Sequence, residues 1–303
     1  MKNTILFGNG INRLSKNNIS WGKLLDTIKE TRTFDDSDLP NTMIYERIIL
    51  ENPSNHDNIL SDEFDVKKHI ADLMIDVESS EIYTELFTLN VQNYLTTNYD
   101  YSFTDSLIDL KEVNLPIHDQ STENIYSVRR VKRISNIHEK EKYFWQIHGE
   151  INKPASIMLG LDHYCGYVGK INSYIKGGYK YIIEGKDIEE ISIEEKFNNN
   201  QFNNTSWVEL FFNSNIHIIG FSLDFSEIDL WWIINKRARL KKSKNLGKKI
   251  NNKIIFYCTS IDEQKRDLLK SFDVEVQIDK LSVGEDKYRN YYKNLIKRFK
   301  QEF

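Results

Sequence analysis

Cysteine is nearly absent from this chain: only Cys165 and Cys258 occur, far apart and in no C-x-x-C pair. That excludes both a zinc ribbon and a disulfide framework, and a reducing cytoplasm is the compartment that fits. Long apolar runs are missing too. The opening MKNTILFGNG holds three consecutive apolar residues before its glycine, too few for a signal-peptide core, and no later run approaches a membrane span. A soluble protein with no membrane partner is expected. Nor is one sign of charge in excess. The 41 Lys and Arg face 45 Asp and Glu, for a formal net charge of -4, so nucleic acid contact would have to come from a local patch. The run NKRARLKKSKNLGKK at 235–249 is the candidate, with a solvated helix end as its ordinary explanation.

What is present is a globular balance of 40% hydrophobic and 28% charged residues, which rules out wholesale disorder. The 303 residues suffice for one large α/β domain or for one carrying a substantial insertion. A strand over 4–7 runs into Gly8-Asn9-Gly10. A helix follows, with Ser20 as N-cap and Trp21, Leu24, Leu25 and Ile28 on one face. Residues 41–50 and 64–89 also carry helical spacing and predict a helical lid or layer. The pattern then predicts a strand over 93–97, a helix over 101–110, and irregular structure over 114–140 containing the basic segment RRVKR. Two short strands are expected at 143–149 and 156–160, around the Lys153-Pro154 turn. Residues 163–214 read as an inserted helical module, broken by Gly177-Gly178 and the polar run NNNQFNN.

Three strand-helix units close the chain, at 216–221 with 226–242, 253–258 with 262–271, and 274–278 with 285–301. This alternation predicts a Rossmann-like α/β fold, with a mainly parallel sheet and helices on both faces. A single domain over 1–303 is expected, with helical insertions around 38–90 and 163–214. Trp231 and Trp232 are neighbours on one helix and cannot face the same core, so one of them either packs on a second layer or meets a partner subunit.

Ligands of open α/β sheets collect beyond the carboxyl ends of the strands. The first strand ends in Gly8-Asn9-Gly10-Ile11-Asn12, where two glycines permit positive φ and close approach of backbone N–H groups to a phosphate. A dehydrogenase fingerprint would need glycine at 13, where Arg13 stands, and a plain tight turn is the competing reading. The next tips deliver Thr97, Asn98 and Asp100, then His148-Gly149, then Gly220, Ser222 and Asp224. Each alone has an ordinary explanation, such as an Asx turn or a structural histidine. Together, in this order, they point to one cleft.

The motifs GNGIN (8–12), TNYD (97–100), IHG (147–149) and GFSLD (220–224) resemble those of the sirtuin-like superfamily, and within it the bacterial sirtuin-like NAD-consuming domains of anti-phage defence. A related abortive-infection family shares the GNG start and the IHG tip. The resemblance spans about residues 4–260. The four-cysteine zinc module of deacetylating sirtuins is missing, and Asn9 and Asn12 stand where those enzymes usually carry alanine and serine. The resemblance therefore implies NAD as substrate, no metal, and a glycohydrolase giving nicotinamide and an ADP-ribose product rather than a deacylase. It implies that Asn98 positions water or the ribose, that His148 is base or polar partner to the ribose hydroxyls, and that Asp100, beside Thr97, holds the nicotinamide end. Gly8, Asn9, Gly10 and Asn12 would cradle the pyrophosphate. Gly220 and Ser222 would face the adenosine side, with Cys258 or Thr259 near adenine. A non-catalytic module sensing NAD or ADP-ribose would use the same residues. Domains of this kind act in assemblies, which implies a homo-oligomer or a separately encoded sensor or ATPase partner.

Overall fold

The computed structural model describes residues 1–29, 34–51, 59–108, 113–119, 123, 125–136 and 141–303. Its strands are β1 (Lys2–Phe7), β2 (Asn93–Thr96), β3 (Val113–Asp119), β4 (Val131–Asn136), β5 (Lys142–Gln146), β6 (Lys180–Ile183), β7 (Lys186–Glu189), β8 (Ser214–Ile219), β9 (Ile254–Cys258) and β10 (Val274–Ile278). Eight of them form one sheet in the order β10-β9-β8-β1-β2-β5-β4-β3. From β10 to β5 every neighbouring pair is parallel, and β4 and β3 continue the sheet as antiparallel additions. This is a Rossmann-like α/β sheet. The first strand sits between β8 and β2, so successive connections leave it in opposite directions and open a crevice at its carboxyl end.

The strands of the parallel part are apolar on both faces because both faces are covered. In β1, Ile5 and Phe7 point into one core and Leu6 into the other, all essentially without exposure. The helices are α1 (Trp21–Lys29), α2 (Asn41–Leu50), α3 (Ile59–Met74), α4 (Glu81–Phe87), α5 (Ser102–Asp105), α6 (Leu161–Lys176), α7 (Ile193–Asn199), α8 (Trp207–Asn213), α9 (Ile228–Lys241), α10 (Glu263–Ser271) and α11 (Lys287–Glu302). Helices α6, α8 and α9 pack on the Leu6 side, and α4, α5 and α11 on the Ile5 side. A third cluster joins α1, α2 and α3 to Tyr99, Ile151, Ile157 and Leu159, next to the carboxyl ends of β2 and β5. Side-chain caps start several helices where the sequence offers Ser or Asp: Ser80 for α4, Ser192 for α7, Ser206 for α8 and Asp262 for α10.

Several expectations need correction. Residues 113–119 and 131–136 pair as an antiparallel extension where irregular structure was expected. The basic residues at the start of β4 hid the pattern because they are buried with partners: Arg130, just before the strand, and Lys132 within it each reach a different oxygen of Glu150 at 2.9 Å, and Arg129 lies 3.5 Å over the Tyr181 ring. The stretch 156–160 is no strand. Pro154–Ser156 forms a 3-10 turn, and an isolated bridge between Glu150 and Lys153 is all the pairing found there. The helix expected over 101–110 shrinks to the single turn of α5, with positions 109 and 110 outside the described residues. The expected helix 64–89 divides into α3 and α4. The helical module at 163–214 also holds the β6-β7 hairpin, whose turn residues Glu184 and Gly185 both have positive φ as a type I′ turn requires.

In the basic run, Arg237 is buried against Asn252 and Asp273, and Lys241 shares that same aspartate. Trp231 stacks on Phe225 and meets Phe272 edge-on, while Ile233 and Ile234 are fully buried. Among the described residues no helix is long and apolar enough to cross a membrane.

Candidate functional site

A cavity of about 670 Å³ opens at the carboxyl ends of β1, β8 and β9. Its floor is the contact between two strand tips. The Gly10 N–H donates to the Gly220 carbonyl at 2.7 Å, and a Cβ on Gly10 would stand 2.5 Å from that oxygen. A Cβ on Gly8 would meet Phe221 Cδ2 at 2.4 Å. Of these glycines only Gly220 has positive φ, at 56°. The GNG turn thus serves close packing of β1 on β8 rather than the positive φ expected of it, and the Gly10 N–H is engaged by protein.

Asn9 and Ser222 line the cavity beside Gly10 and Gly220, as do Cys258 and Thr259 at the tip of β9. The Asn9 amide donates to the Ile19 carbonyl at 2.7 Å, which ties the turn to the approach of α1. Trp21 forms one wall, and Tyr288, Tyr291 and Tyr292 form another. Two cations, Arg13 and Lys265, reach the same space. Lys265 Nζ donates to the Ser222 carbonyl at 2.8 Å, and burial lowers its pKa against the opposing pull of Asp224 and Asp262.

The remaining expected residues do not line this cavity. Asn12 turns into the interior, where its Nδ2 donates to Asp100 Oδ2 at 2.7 Å and its Oδ1 accepts from the Tyr83 hydroxyl. Asp100 also accepts from the Ser102 N–H at 2.9 Å and from the Ser102 hydroxyl. Burial pushes the Asp100 pKa up, opposed by these hydrogen bonds. Asn12 and Asp100 therefore lock the tips of β1 and β2 together: Asn12 spends its amide on Asp100 and Tyr83 rather than on the pyrophosphate expected of it, and Asp100 takes its hydrogen bonds from Asn12 and Ser102. Thr97 is buried, and the Asn98 N–H donates to Thr96 Oγ1 at 3.1 Å.

The Asn98 side chain is the anomaly. It is 3% exposed, and neither atom of its amide has a hydrogen-bond partner among the described residues. The Tyr83 hydroxyl gives its proton to Asn12, and the Asn98 amide acts on the Tyr83 oxygen, lowering its pKa against burial, from beyond hydrogen-bond distance. Leaving a buried polar group unsatisfied costs about 1–3 kcal/mol. Trp21 lines the cavity and meets the ring of Tyr99, the next residue after Asn98, edge-on at 5.4 Å.

His148 is also buried, at the end of β5. Its Nε2 lies 2.9 Å from Asp229 Oδ2 and its Nδ1 lies 3.5 Å from Glu227 Oε2. Tyr164 donates to Glu227 Oε2 at 3.2 Å and stands edge-on to the imidazole. Burial works against a charged imidazole, but Asp229 and Glu227 outweigh it and hold the His148 pKa above the usual histidine range. Burial, reinforced by Asp229 and opposed by His148, pushes the Glu227 carboxyl up to about 7. These three side chains also bring a possible set of metal-ligand atoms within 4.8 Å of one another. The two carboxylates face different ring nitrogens and, as they stand, clamp the ring between them.

Sequence reasoning missed Glu227, Asp229 and Tyr164. The available signal was the acid pair of Ser226-Glu227-Ile228-Asp229, which enters α9 directly after the GFSLD tip. The structure thus gathers Asn9, Gly10, Gly220 and Ser222 at a cavity and Asn12 with Asp100 behind it, and it keeps Asn98 and His148 in the interior. No protein-family model matches this sequence, and no curated protein matches it.

Proposed function

We propose that the chain is a sirtuin-like NAD glycohydrolase that releases nicotinamide and an ADP-ribose product, depleting NAD in anti-phage defence. The Asn98 amide carries the reading. Breaking the glycosidic C–N bond builds positive charge on the ribose, and the attacking water must be held while it accepts that charge. A neutral amide suits this task because it both donates and accepts, and among the described residues no hydrogen bond occupies either function of the buried Asn98 amide. The cavity at the crevice of the Rossmann-like sheet supports the same reading. Its cations Arg13 and Lys265 suit a pyrophosphate and its tyrosine wall suits a base.

The imidazole of His148 would serve the ribose hydroxyls, at a pH where it exchanges protons. Control by assembly, as a homo-oligomer or with a separately encoded sensor or ATPase, belongs to the same proposal, since uncontrolled NAD hydrolysis would harm the host cell. The test is ligand-observed proton NMR of the protein with NAD, followed over time beside Asn98→Ala and His148→Ala. Free nicotinamide from the wild type alone is the expected result. Equal release by both variants would sink the assignment.

A second reading, a module that binds NAD or ADP-ribose without cleaving it, is favoured by one observation: Asn98 and His148 do not line the cavity. NAD whose signals broaden on binding and then persist unchanged would decide for it.

A further inference from the structure

Both nitrogens of His148 face carboxylates, and the two contacts differ in kind. Asp229 is completely buried in the first turn of α9, and its Oδ2 is at hydrogen-bond distance from Nε2. Glu227 precedes that helix with non-helical backbone angles, lies 3.5 Å from Nδ1, and accepts its hydrogen bond from Tyr164 instead. A distance of 3.5 Å with no hydrogen bond is a contact that a better acceptor or donor displaces. The Asp229 contact is short, dry and fixed by a helix. An imidazole that serves a ligand needs one nitrogen held and the other available, and these distances distinguish the two.

We infer that Asp229 and Glu227 are positioning residues that act through His148: Asp229 holds the ring proton on Nε2, and Glu227 covers Nδ1, the nitrogen that a ribose hydroxyl takes. The inference rests on the glycohydrolase reading for the identity of that hydroxyl. In the step it implies, the hydroxyl proton passes to the Nδ1 lone pair, the electrons of the O–H bond stay on the oxygen and stabilise the ribose cation, and Asp229 balances the imidazolium that forms. Glu227 is displaced by the incoming hydroxyl and keeps Tyr164 as its partner.

Among the described residues the groups around the ring are few. Asp229 and Glu227 come from the start of α9 and Tyr164 and Tyr167 from α6, while the two acids also act on Tyr99 at the tip of β2. Asp224 acts on Glu227 and Arg130 acts on Tyr167. The two nearest acids therefore dominate the titration of the imidazole. Loss of a carboxylate at hydrogen-bond distance shifts such a pKa by about one to three units.

The experiment is nitrogen NMR of the imidazoles across pH, with His148 assigned by His148→Gln, for wild type, Asp229→Asn and Glu227→Gln without ligand, then NAD turnover across pH for the same proteins. The wild type should hold its proton on Nε2 in the neutral form. Asp229→Asn should lower the His148 midpoint by about one to three units, and Glu227→Gln by less. In turnover, Asp229→Asn should lose about 100-fold or more in kcat with KM little changed, and its pH profile should move with the midpoint. An unmoved midpoint in a variant that melts like the wild type overturns the inference. So does a wild-type imidazole protonated on Nδ1, a result that needs no variant to fold. If the midpoints move as expected and no protein releases nicotinamide, the His148 coupling stands and the glycohydrolase reading is what fails.

Discussion

The contact between Gly10 and Gly220 gives the most direct test of how this fold builds its cavity. In Gly10→Ala the new Cβ would lie 2.5 Å from the Gly220 oxygen, 2.8 Å from its carbonyl carbon and 2.9 Å from its Cα. All three atoms are backbone in a strand tip flanked by a core, so no side chain can swing away. Relief requires parting β1 from β8, which stretches the 2.7 Å hydrogen bond out of range. The lost hydrogen bond costs about 1 kcal/mol, and forcing packed structure apart costs about 1–3 kcal/mol more. A total of roughly 2–4 kcal/mol is on the order of a 100-fold fall in the folded-to-unfolded ratio.

Urea unfolding followed by tryptophan fluorescence measures it. Gly169→Ala is the matched control, because that glycine lies on an exposed face of α6 with nothing within 4 Å of its added Cβ. Alanine there should stabilise by about 0.5–1 kcal/mol, the intrinsic helix preference. Wild-type stability in Gly10→Ala, or an equal loss in both variants, would refute the packing argument. The same variant should weaken NAD binding, because the displaced tip is the cavity floor.

Asn98→Leu removes a buried amide that the protein leaves unsatisfied, so it should unfold at equal or higher urea than the wild type, by up to about 1–3 kcal/mol, while abolishing nicotinamide release; a large destabilisation would show that the amide has a structural partner. Glu150→Gln takes away the carboxylate that the buried Arg130 and Lys132 both face and should cost about 3–5 kcal/mol in urea unfolding, a loss below 1 kcal/mol contradicting it.

Those partners, with Tyr101, overcome burial and hold Glu150 at about 2, so the stability it contributes is present above the ordinary carboxyl value of 4.5 and is lost as pH falls from there towards 2. Glu227 has the opposite sign. Its folded-state pKa of about 7 lies above the ordinary 4.5, so its contribution is full below pH 4.5 and is lost as pH rises through 7; Glu227→Gln should flatten that decline in the urea midpoint, and an unchanged slope would exclude Glu227 as its source. Light scattering should return a multiple of 35.9 kDa for a homo-oligomer, and a single 35.9 kDa species would remove that part of the proposal.

Much of the architecture was legible because parallel strands buried on two faces are written as short apolar runs, and the helices between them as apolar residues at helical spacing. Strand 274–278 and the helix cap at Ser20 were found in place, as were the four strand tips. Residues 131–136 were not legible. Lys132, and Arg130 just before the strand, look like surface until Glu150, from the segment after β5, arrives to bury them.

The candidate site divides in the same way. The sequence by itself determined which chemistry stands at each strand end, because local periodicity places Asn98, His148, Gly10 and Gly220 at tips. Only the tertiary structure decided what those tips touch: Gly10 closes on Gly220, Asn12 is drawn to Asp100, His148 is held by Asp229, and the Asn98 amide is left without a hydrogen-bond partner among the described residues. The physical reason is range. Periodicity reports which face of its own element a residue occupies, whereas these contacts join residues about 80 to 210 positions apart, and the order of strands across the sheet, which no local pattern encodes, sets them.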